Sequence, residues 1–406
     1  MEKFEFIPGG ITAPGGFLVS GIHCGIRRNK TKRDLALIMA QKTCAAAAVY
    51  TTNIVKAAPI NLTMEHLTDG QARAILVNSG NANACTVDGM DVAKKCVNAL
   101  AAELNIKPQD IIVNSTGVIG QPLPFQTIVD AIPELVSSLS NESENAAEAI
   151  MTTDTFPKSA ALECVIGDKT VIIGGIAKGS GMIHPNMATM LAFVTTNCDI
   201  TPTLLNEALQ ASVNKTYNRI SVDGDTSTND MTAILASGTA GNAQITDRGP
   251  DYDTFTRALT ALNLKLAKDI AKDGEGATKF LTCRVTGAMD EDTAVTIAKA
   301  VISSSLVKAA MFGADANCGR VLCAMGYSGA KYNINTVDVS YCSNAGRIMV
   351  CEHGMGLAFD EDLAKAVLTQ KDIVIEISLK SGNATAEAYG CDLTYDYVKI
   401  NGDYRT

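Results

Sequence analysis

Several residue patterns that would place a protein in a familiar class are missing from this sequence. Only four of its 406 residues are histidine, which argues against a multi-histidine metal site. Its twelve cysteines are scattered singly and form no Cys-x-x-Cys pair. That spacing fits no common zinc knuckle and predicts reduced thiols used as small core residues. The sequence therefore gives no reason to expect a metal.

Charge and hydropathy argue against two further classes. The net charge is −9 and the isoelectric point is near 5.1. The one basic cluster, within residues 27–33, is typical of a solvated loop, so nucleic acid is not an expected partner. The first residues lack the apolar stretch of a signal peptide, and the longest apolar runs are too short to cross a bilayer. We therefore expect a cytoplasmic protein without a membrane partner.

What the sequence does contain is an alternation of strand and helix patterns. Val92, Cys96, Leu100 and Leu104 recur every four residues and predict an amphipathic helix. Thr201 has the residue type and position of a helix N-cap. Further helices are predicted over 141–151, 252–271, 291–303 and 360–368, and strands over 46–50, 74–78, 110–114, 163–166, 170–173, 190–195, 280–285, 337–340 and 373–379. No dinucleotide-binding glycine motif interrupts them. The pattern indicates a mixed α and β protein with two or three lobes.

One segment carries the residues for a specific chemistry. The glycine-rich stretch 174–186 leads to Thr189, which stands at the start of an apolar strand and follows the small residue Ala188. A threonine hydroxyl is a weak nucleophile unless a base activates it, and cleavage of the Ala188–Thr189 bond would supply one as the new α-amine. Taken alone, a threonine at the start of an apolar strand is usually a β-branched strand residue without a catalytic role.

A chain-long resemblance decides between these alternatives. The motifs that carry it lie at residues 8–14, 78–84, 114–120, 151–155, 178–193, 221–230, 273–279, 313–320 and 395–406. In these motifs the sequence resembles the ornithine acetyltransferase family of the ArgJ type, whose members are bifunctional glutamate N-acetyltransferases. The resemblance covers essentially the full length and departs from the family pattern at no functional position.

The resemblance implies a fold and a chain organisation. The fold expected is α+β, a self-processing, N-terminal-nucleophile-like sandwich of β-sheets covered by helices, with an additional smaller α/β lobe. Self-cleavage between Ala188 and Thr189 would give an alpha chain, 1–188, and a beta chain, 189–406, that starts at the nucleophile. Both chains would build one shared active site and stay associated, as a heterotetramer of two alpha and two beta chains.

The resemblance also implies the reaction. Acetyl would pass from N-acetylornithine to Thr189 and then to glutamate, giving ornithine and N-acetylglutamate by double displacement. Thr116 and Gly117 would form the oxyanion hole, although alone they suggest only a turn after a strand. No cofactor is expected, and acetyl-CoA stays open as a second acetyl donor.

Six residues are expected to bind the substrates. Thr153 stays open as an alternative to Thr152 for one of these contacts. Glu275 could face the ornithine side-chain amine, assist proton transfer or be a solvated loop carboxylate. His184 is taken as structural. The six are Thr152, Lys178, Thr189, Glu275, Asn401 and Thr406.

Two other functions stay open at this point. A self-processing aminopeptidase or amidohydrolase of related architecture would use the same nucleophile with water as the acceptor. A non-catalytic amino-acid-binding protein would keep the motif without the chemistry. Transfer of acetyl to glutamate rather than to water, and cleavage into two fragments, separate these alternatives.

Overall fold

The computed structural model describes residues 4–184 and 190–403. Within these ranges, sixteen strands form two mixed sheets, and eleven α-helices pack against them. The strands of the first half are β1 (Glu5–Ile7), β2 (Phe17–Ile22), β3 (Leu35–Tyr50), β4 (Gln71–Asn81), β5 (Ile111–Val118), β6 (Lys158–Ile166), β7 (Lys169–Lys178) and β8 (Leu191–Thr196). The later strands are β9 (Ile220–Ser221), β10 (Met231–Ala236), β11 (Phe280–Ala288), β12 (Asp338–Ser343), β13 (Gly346–Glu352), β14 (Met355–Gly356), β15 (Asp372–Ser378) and β16 (Ala384–Cys391).

The helices alternate with the strands along the chain. They are α1 (Ala58–His66), α2 (Gly89–Leu104), α3 (Phe125–Ser137), α4 (Ser143–Ala149), α5 (Pro202–Lys215), α6 (Pro250–Lys272), α7 (Glu291–Ser303), α8 (Ser305–Phe312), α9 (Cys318–Gly326), α10 (Glu361–Leu368) and α11 (Tyr395–Gly402).

The first sheet has nine strands in the order β1-β6-β7-β8-β10-β3-β4-β5, and β2 pairs with β3 beside this path. Its long strand β3 presents Ala47 and Val49 to the core under α5 and α6, while Ala46 on the opposite face joins the core under α4. The small side chains of this alanine-rich stretch let helices approach both faces closely. Strands β8 and β10 run parallel at the centre of the sheet.

Helix α6 links the two sheets. It contacts β6 and β7 of the first sheet and β16 of the second. Its buried face repeats with helical period, as in Phe255, Leu259, Leu262 and Leu266. Pro250 begins the helix with a fixed φ and no orphaned N–H, so the helix start is encoded locally.

The second sheet has seven strands in the order β14-β13-β12-β15-β11-β16-β9 and carries α7 to α10. Its core, which includes Val285, Ile297, Tyr341 and Ile375, is a hydrophobic cluster separate from those of the first sheet. This is the smaller lobe. The α+β fold predicted from the sequence, with sheets covered by helices and an additional smaller lobe, is confirmed.

Helices α7 and α5 both begin where the sequence predicts. Helix α7 has the predicted bounds, and Asp290 caps it by accepting a hydrogen bond from the Thr293 N–H at 2.7 Å. Thr201 occupies the N-cap position of α5, but its side chain makes no capping hydrogen bond. The predicted N-cap position is therefore confirmed, and Pro202 fixes φ at the first helical residue.

The helices give no clear membrane signal in the described residues. No single helix there is long and apolar enough to cross a bilayer. The pair α7 and α8 passes the length and composition test together, with a bend of 59° between the two helices.

Candidate active site

One cavity brings together the predicted site residues that the structure describes. It has about 720 Å³ of empty space, including its open mouth. The predicted residues among those lining it are Thr116, Gly117, Thr152, Lys178, Glu275 and Asn401. Ala188, Thr189 and Thr406 lie outside the described residues. Ile183 and Met190, on either side of the segment 185–189, both line the cavity.

The pair Thr116 and Gly117 stands at the end of β5, beside the end of β4. Gly117 has φ +134°, and a Cβ there would lie 2.3 Å from the carbonyl carbon of Gly80. Only glycine allows the two parallel strand ends to meet this closely, so the position is encoded by backbone geometry. The strand end thus places Thr116 and Gly117 at the cavity wall.

A buried amide network fixes these strand ends. The Asn229 side chain donates to the carbonyls of Ala82 at 2.6 Å and Ser115 at 2.8 Å, and Asn114 donates to the Asn229 carbonyl at 3.0 Å. Asn229 is 3% exposed. Because buried amides of this kind are costly to leave unpaired, the network holds β4, β5 and the start of β10 in one arrangement.

Lys178 ends β7 inside a cluster of buried charges. Its Nζ lies 4.0 Å from Asp154 Oδ2, and Asp154 also pairs with Lys158 at 2.7 Å. Lys158 in turn lies 2.6 Å from Asp273. Burial lowers the pKa of Lys178, and Asp154 opposes that shift. Burial alone would raise the pKa of Asp154, but Lys178 and Lys158 hold it well below its ordinary value.

Within this cluster, Lys178 is less tightly paired than Lys158. Lys158 lies at contact distance from two carboxylates, whereas Lys178 is 4.0 Å from its nearest carboxylate oxygen and lines the cavity. A cation in that position can accept an anionic ligand without first breaking a short ion pair.

The glycines after Lys178 make room for Glu275. A Cβ on Gly181 would lie 2.3 Å from the Glu275 carboxylate, so a larger residue at position 181 would displace that carboxylate. The Gly179 N–H donates to Asp154 Oδ1 at 2.7 Å, which ties the loop to the charge cluster. Glu275 is 8% exposed and accepts a 2.6 Å hydrogen bond from the Asn401 side chain. The solvated-loop alternative for Glu275 is therefore wrong.

The same loop is anchored on its far side by Asp223. Its carboxylate accepts the N–H groups of Met182 at 2.6 Å and Ile183 at 2.8 Å, and the Tyr397 hydroxyl at 3.2 Å. Met182 has φ +55°, an uncommon value for a residue with a side chain. The motif 221–230 thus holds both the glycine-rich loop and, through Tyr397, the terminal helix α11.

Thr152 and Thr153 both line the cavity, so the geometry does not separate them. The Thr152 N–H donates to Asp154 Oδ2 at 2.9 Å, which ties this turn to the charge cluster. Of these two threonines, only Thr152 also lines a second, larger cavity.

Sequence reasoning gave no role to Asp230, which also lines the cavity. It is 3% exposed, its Oδ2 has no hydrogen-bond partner among residues 4–184 and 190–403, and burial raises its pKa well above the ordinary value. The chain places it beside Met190, whose carbonyl accepts the Met231 N–H at 3.1 Å. The available signal was a carboxylate directly before a fully buried strand, which is a costly place for a charge.

His184 lies just before the segment 185–189 and outside the lining of the cavity. Its Nδ1 is 3.0 Å from the Ser221 hydroxyl. Burial, followed by the charge of Lys299, lowers its pKa to about 4, so the ring is neutral near pH 7. Across residues 4–184 and 190–403, no group of three or more His, Cys, Asp or Glu side chains could hold a metal ion.

The fold and the cavity together define an α+β enzyme with a site for small polar molecules. Thr116 and Gly117 line the cavity at the end of β5, the buried Lys178 lines it at the end of β7, and Glu275 lines it from the loop before β11. Such donors can stabilise a developing oxyanion, while the charged groups can bind carboxylate and amine.

Comparison with known proteins identifies the family. The family model described as ArgJ matches residues 18–406, so the chain belongs to the ArgJ family. A relative from Caldanaerobacter subterraneus subsp. tengcongensis, named arginine biosynthesis bifunctional protein ArgJ, is 49% identical over 404 residues, 99% of this chain and 100% of the relative. A relative of the same name from Symbiobacterium thermophilum is 51% identical over 405 residues, again 99% and 100%.

A crystal structure of the arginine biosynthesis bifunctional protein argJ from Bacillus halodurans is 47% identical in sequence. It covers 53% of this chain and 100% of the solved chain, with a TM-score of 0.50. The family predicted from the sequence motifs is confirmed. The predicted acetyltransferase of arginine biosynthesis is likewise supported over the self-processing hydrolase.

Proposed function

We propose that this enzyme cleaves its own Ala188–Thr189 bond and then transfers acetyl from N-acetylornithine to glutamate through acetyl-Thr189. The observation that carries the proposal is the single cavity lined by Thr116, Gly117 and Lys178 together with Met190, which is bonded to Thr189 in the uncleaved chain.

The transfer takes place in two steps, acetylation of Thr189 and then acetylation of glutamate. The Thr189 α-amine takes the hydroxyl proton while the oxygen attacks the acetyl carbonyl, and the resulting oxyanion is stabilised by the Thr116 hydroxyl and the Gly117 N–H. The C–N bond to ornithine breaks as its amine takes up the proton. The neutral α-amine of glutamate then attacks the ester, and one of its protons returns to the Thr189 oxygen.

The charged groups suit amino-acid substrates. Lys178 supplies a cation for the α-carboxylate, with Thr152 beside it at the cavity wall. Glu275, held by Asn401, offers a carboxylate for the side-chain ammonium of ornithine. Thr406 would add a contact from the C-terminus, five residues beyond Asn401 in the sequence. No cofactor takes part in this scheme, and acetyl-CoA is a second acetyl donor.

Both fragments contribute to this scheme. Met1–Ala188 carries the oxyanion donors and Lys178, and Thr189–Thr406 carries the nucleophile and Glu275. Strands β8 and β10 of the second fragment lie between β7 and β3 of the first. After a cut before β8, the β8–β10 pair would therefore still be hydrogen-bonded to β7 on one side and to β3 on the other. We extend the proposal to a heterotetramer of two copies of each fragment in the cytoplasm, where the twelve free cysteines would stay reduced.

The solved relative from Bacillus halodurans has the length expected of the second fragment. The second fragment has 218 residues (406 less 188), or about 54% of the chain, and the complete solved chain covers 53%. Prorating 42.6 kDa by 188 and 218 residues gives bands of about 20 and 23 kDa on a denaturing gel.

Thr189→Ala tests the proposal. We expect one uncleaved band and no acetyl transfer, because both the attacking oxygen and its base are lost. Thr203→Ala, the same change on the exposed face of α5, should cleave and work normally. Cleavage of the Thr189→Ala chain would contradict the nucleophile. Release of acetate as the main product at saturating glutamate would contradict the transferase.

A further inference from the structure

Asp230 is a buried acid at the wall of the active-site cavity whose carboxyl group is only partly hydrogen-bonded. It is 3% exposed and lines the cavity. Within residues 4–184 and 190–403, it is the only buried carboxyl group with an oxygen, Oδ2, that has no hydrogen-bond partner. A buried polar atom without a partner is costly, so its position beside the reacting groups points to a further partner there.

The register of the central strands places Asp230 next to the chain neighbour of the nucleophile. Strands β8 and β10 run parallel with Leu191 opposite Met231, so Asp230 stands opposite Met190. The Met231 N–H donates to the Met190 carbonyl at 3.1 Å, and the Thr232 hydroxyl lies 3.6 Å from the Met190 sulfur. These contacts fix the starts of the two strands against each other.

Covalent geometry limits the distance from this point to the nitrogen of the nucleophile. Three bonds separate the nitrogen atoms of Thr189 and Met190, so the two atoms are no more than about 4 Å apart in any backbone conformation. The Asp230 carboxyl group is itself hydrogen-bonded to the Met190 backbone. The Thr189 nitrogen therefore lies within reach of this carboxyl group, which has its Oδ2 available.

The charges around Asp230 compensate it only in part. Burial raises the pKa of Asp230 well above its ordinary value, although the Lys178 charge and hydrogen bonds from Ser227 and the Met190 backbone oppose the shift. No direct ion pair joins Asp230 to Lys178 in the described residues, where Lys178 lies closest to Asp154, at 4.0 Å. The other ionisable groups near Lys178 are Asp154, Lys158 and Glu275. The carboxyl group is thus neutral before cleavage.

We propose that Asp230 is a positioning residue that holds the Thr189 α-amine after self-cleavage, by accepting its N–H groups on the carboxylate. The inference rests on the proposed function, because this amine exists only once the Ala188–Thr189 bond is broken. The carboxyl proton passes to the new amine, which leaves a carboxylate beside an ammonium and keeps the net charge of the site unchanged. Cleavage thereby supplies a counter-ion to the buried acid.

This pairing controls both the orientation and the pKa of the catalytic base. The amine acts as a base only after its ammonium form has released a proton to solvent, so activity is lost as the pH falls below the pKa of the amine. Burial lowers the pKa of an amine, and a neighbouring carboxylate raises it. Asp230 therefore keeps that pKa from falling, and an N–H held by its carboxylate turns the nitrogen lone pair away from the acid.

Asp230→Asn tests the pairing, because asparagine keeps the shape of the side chain but does not ionise. The pH profile of kcat/KM for N-acetylornithine reports ionisations of the free enzyme in the first half-reaction. An opposite charge at this range shifts a pKa by about 1–3 units, so the acid limb should move to lower pH by at least about one unit. Asp225→Asn makes the same change on an exposed side chain of the same motif, and its acid limb should stay in place.

A direct titration of the amine decides the case in which Asp230→Asn folds poorly or stays uncleaved. Cyanate carbamylates only the neutral amine, and mass spectrometry of the second fragment follows the modification of its N-terminus with pH. In the wild type the midpoint should lie at or above about 7.7, the lower end of the usual α-amine range, despite the burial of the site. A lower midpoint, which burial alone would give, would overturn the inference. A cleaved Asp230→Asn enzyme whose acid limb coincides with that of the wild type would do the same.

These measurements keep the inference distinct from the proposed function. A wild type that is cleaved and transfers acetyl, but whose amine titrates below that range, overturns the inference alone. A wild type that is cleaved and titrates as expected, but releases acetate as its main product at saturating glutamate, overturns the transferase and leaves the role of Asp230 in place. A wild type that stays a single uncleaved band overturns both.

Discussion

Replacing Lys158 by methionine tests whether the buried charge cluster stabilises the fold and keeps Lys178 available. The Lys158 side chain is fully buried and its ammonium lies 2.7 Å from Asp154 and 2.6 Å from Asp273. Methionine keeps the length and apolar stem of lysine but removes the charge. Both carboxylates would then lose their shortest cationic partner while staying buried.

The magnitude follows from this geometry. Removing one partner of a buried ion pair costs about 3–5 kcal/mol, because it leaves an uncompensated buried charge. With an unfolding entropy of about 2.1 cal/mol/K per residue, 406 residues unfolding together give roughly 0.85 kcal/mol/K. The melting temperature should therefore fall by about 4–6 °C. The catalytic efficiency should fall as well, because Asp154 can close its 4.0 Å separation from Lys178 and compete with the substrate carboxylate.

Differential scanning calorimetry and kcat/KM for N-acetylornithine measure both effects. Lys169→Met is the matched control, since Lys169 forms a 3.0 Å pair with Asp168 in which the two side chains are 43% and 85% exposed. An exposed pair is worth at most about 1 kcal/mol, so its melting temperature should change by about 1 °C or less. Equal shifts for the two variants would refute the assignment of the cluster as a stabilising unit.

Two further predictions concern Gly117 and His184. Gly117→Ala would bring a Cβ within 2.3 Å of the Gly80 backbone and displace the N–H that we propose as an oxyanion donor, so kcat should fall at least about 100-fold. Gly120→Ala, at φ +80° with open space around it, should keep kcat within about threefold. Similar losses in both variants would contradict the close-approach argument. Burial lowers the pKa of His184 to about 4 from 6.5. Between these values the folded state binds fewer protons than the unfolded state, so the protein loses stability as the pH falls through that window. After a discount for the partial exposure of the ring, the loss is roughly 1–2 kcal/mol. His184→Asn should therefore lose about 1–2 kcal/mol less free energy of unfolding between pH 7 and pH 4 than the wild type, measured by denaturant titration at both pH values. An unchanged pH profile would contradict this reasoning.

The helices were predictable where the sequence is locally consistent. The α7 sequence has a capping aspartate, acidic residues in its first turn and a regular apolar stripe, and its predicted and observed bounds agree. Strand β3 was predicted only over 46–50, yet it begins at Leu35. Its middle is exposed and its second half is rich in alanine, which has no strand preference of its own. The length of β3 is set by its neighbours β2, β4 and β10.

The composition of the site was predictable from its motifs, but its geometry was not. The glycine at 181 is explained by a carboxylate 94 positions away, at Glu275, and Gly117 by the backbone of Gly80. Such contacts join distant parts of the chain, and no local propensity records them. The position of the basic segment 27–33 was hidden for the same reason, because only the fold brings it next to Thr152.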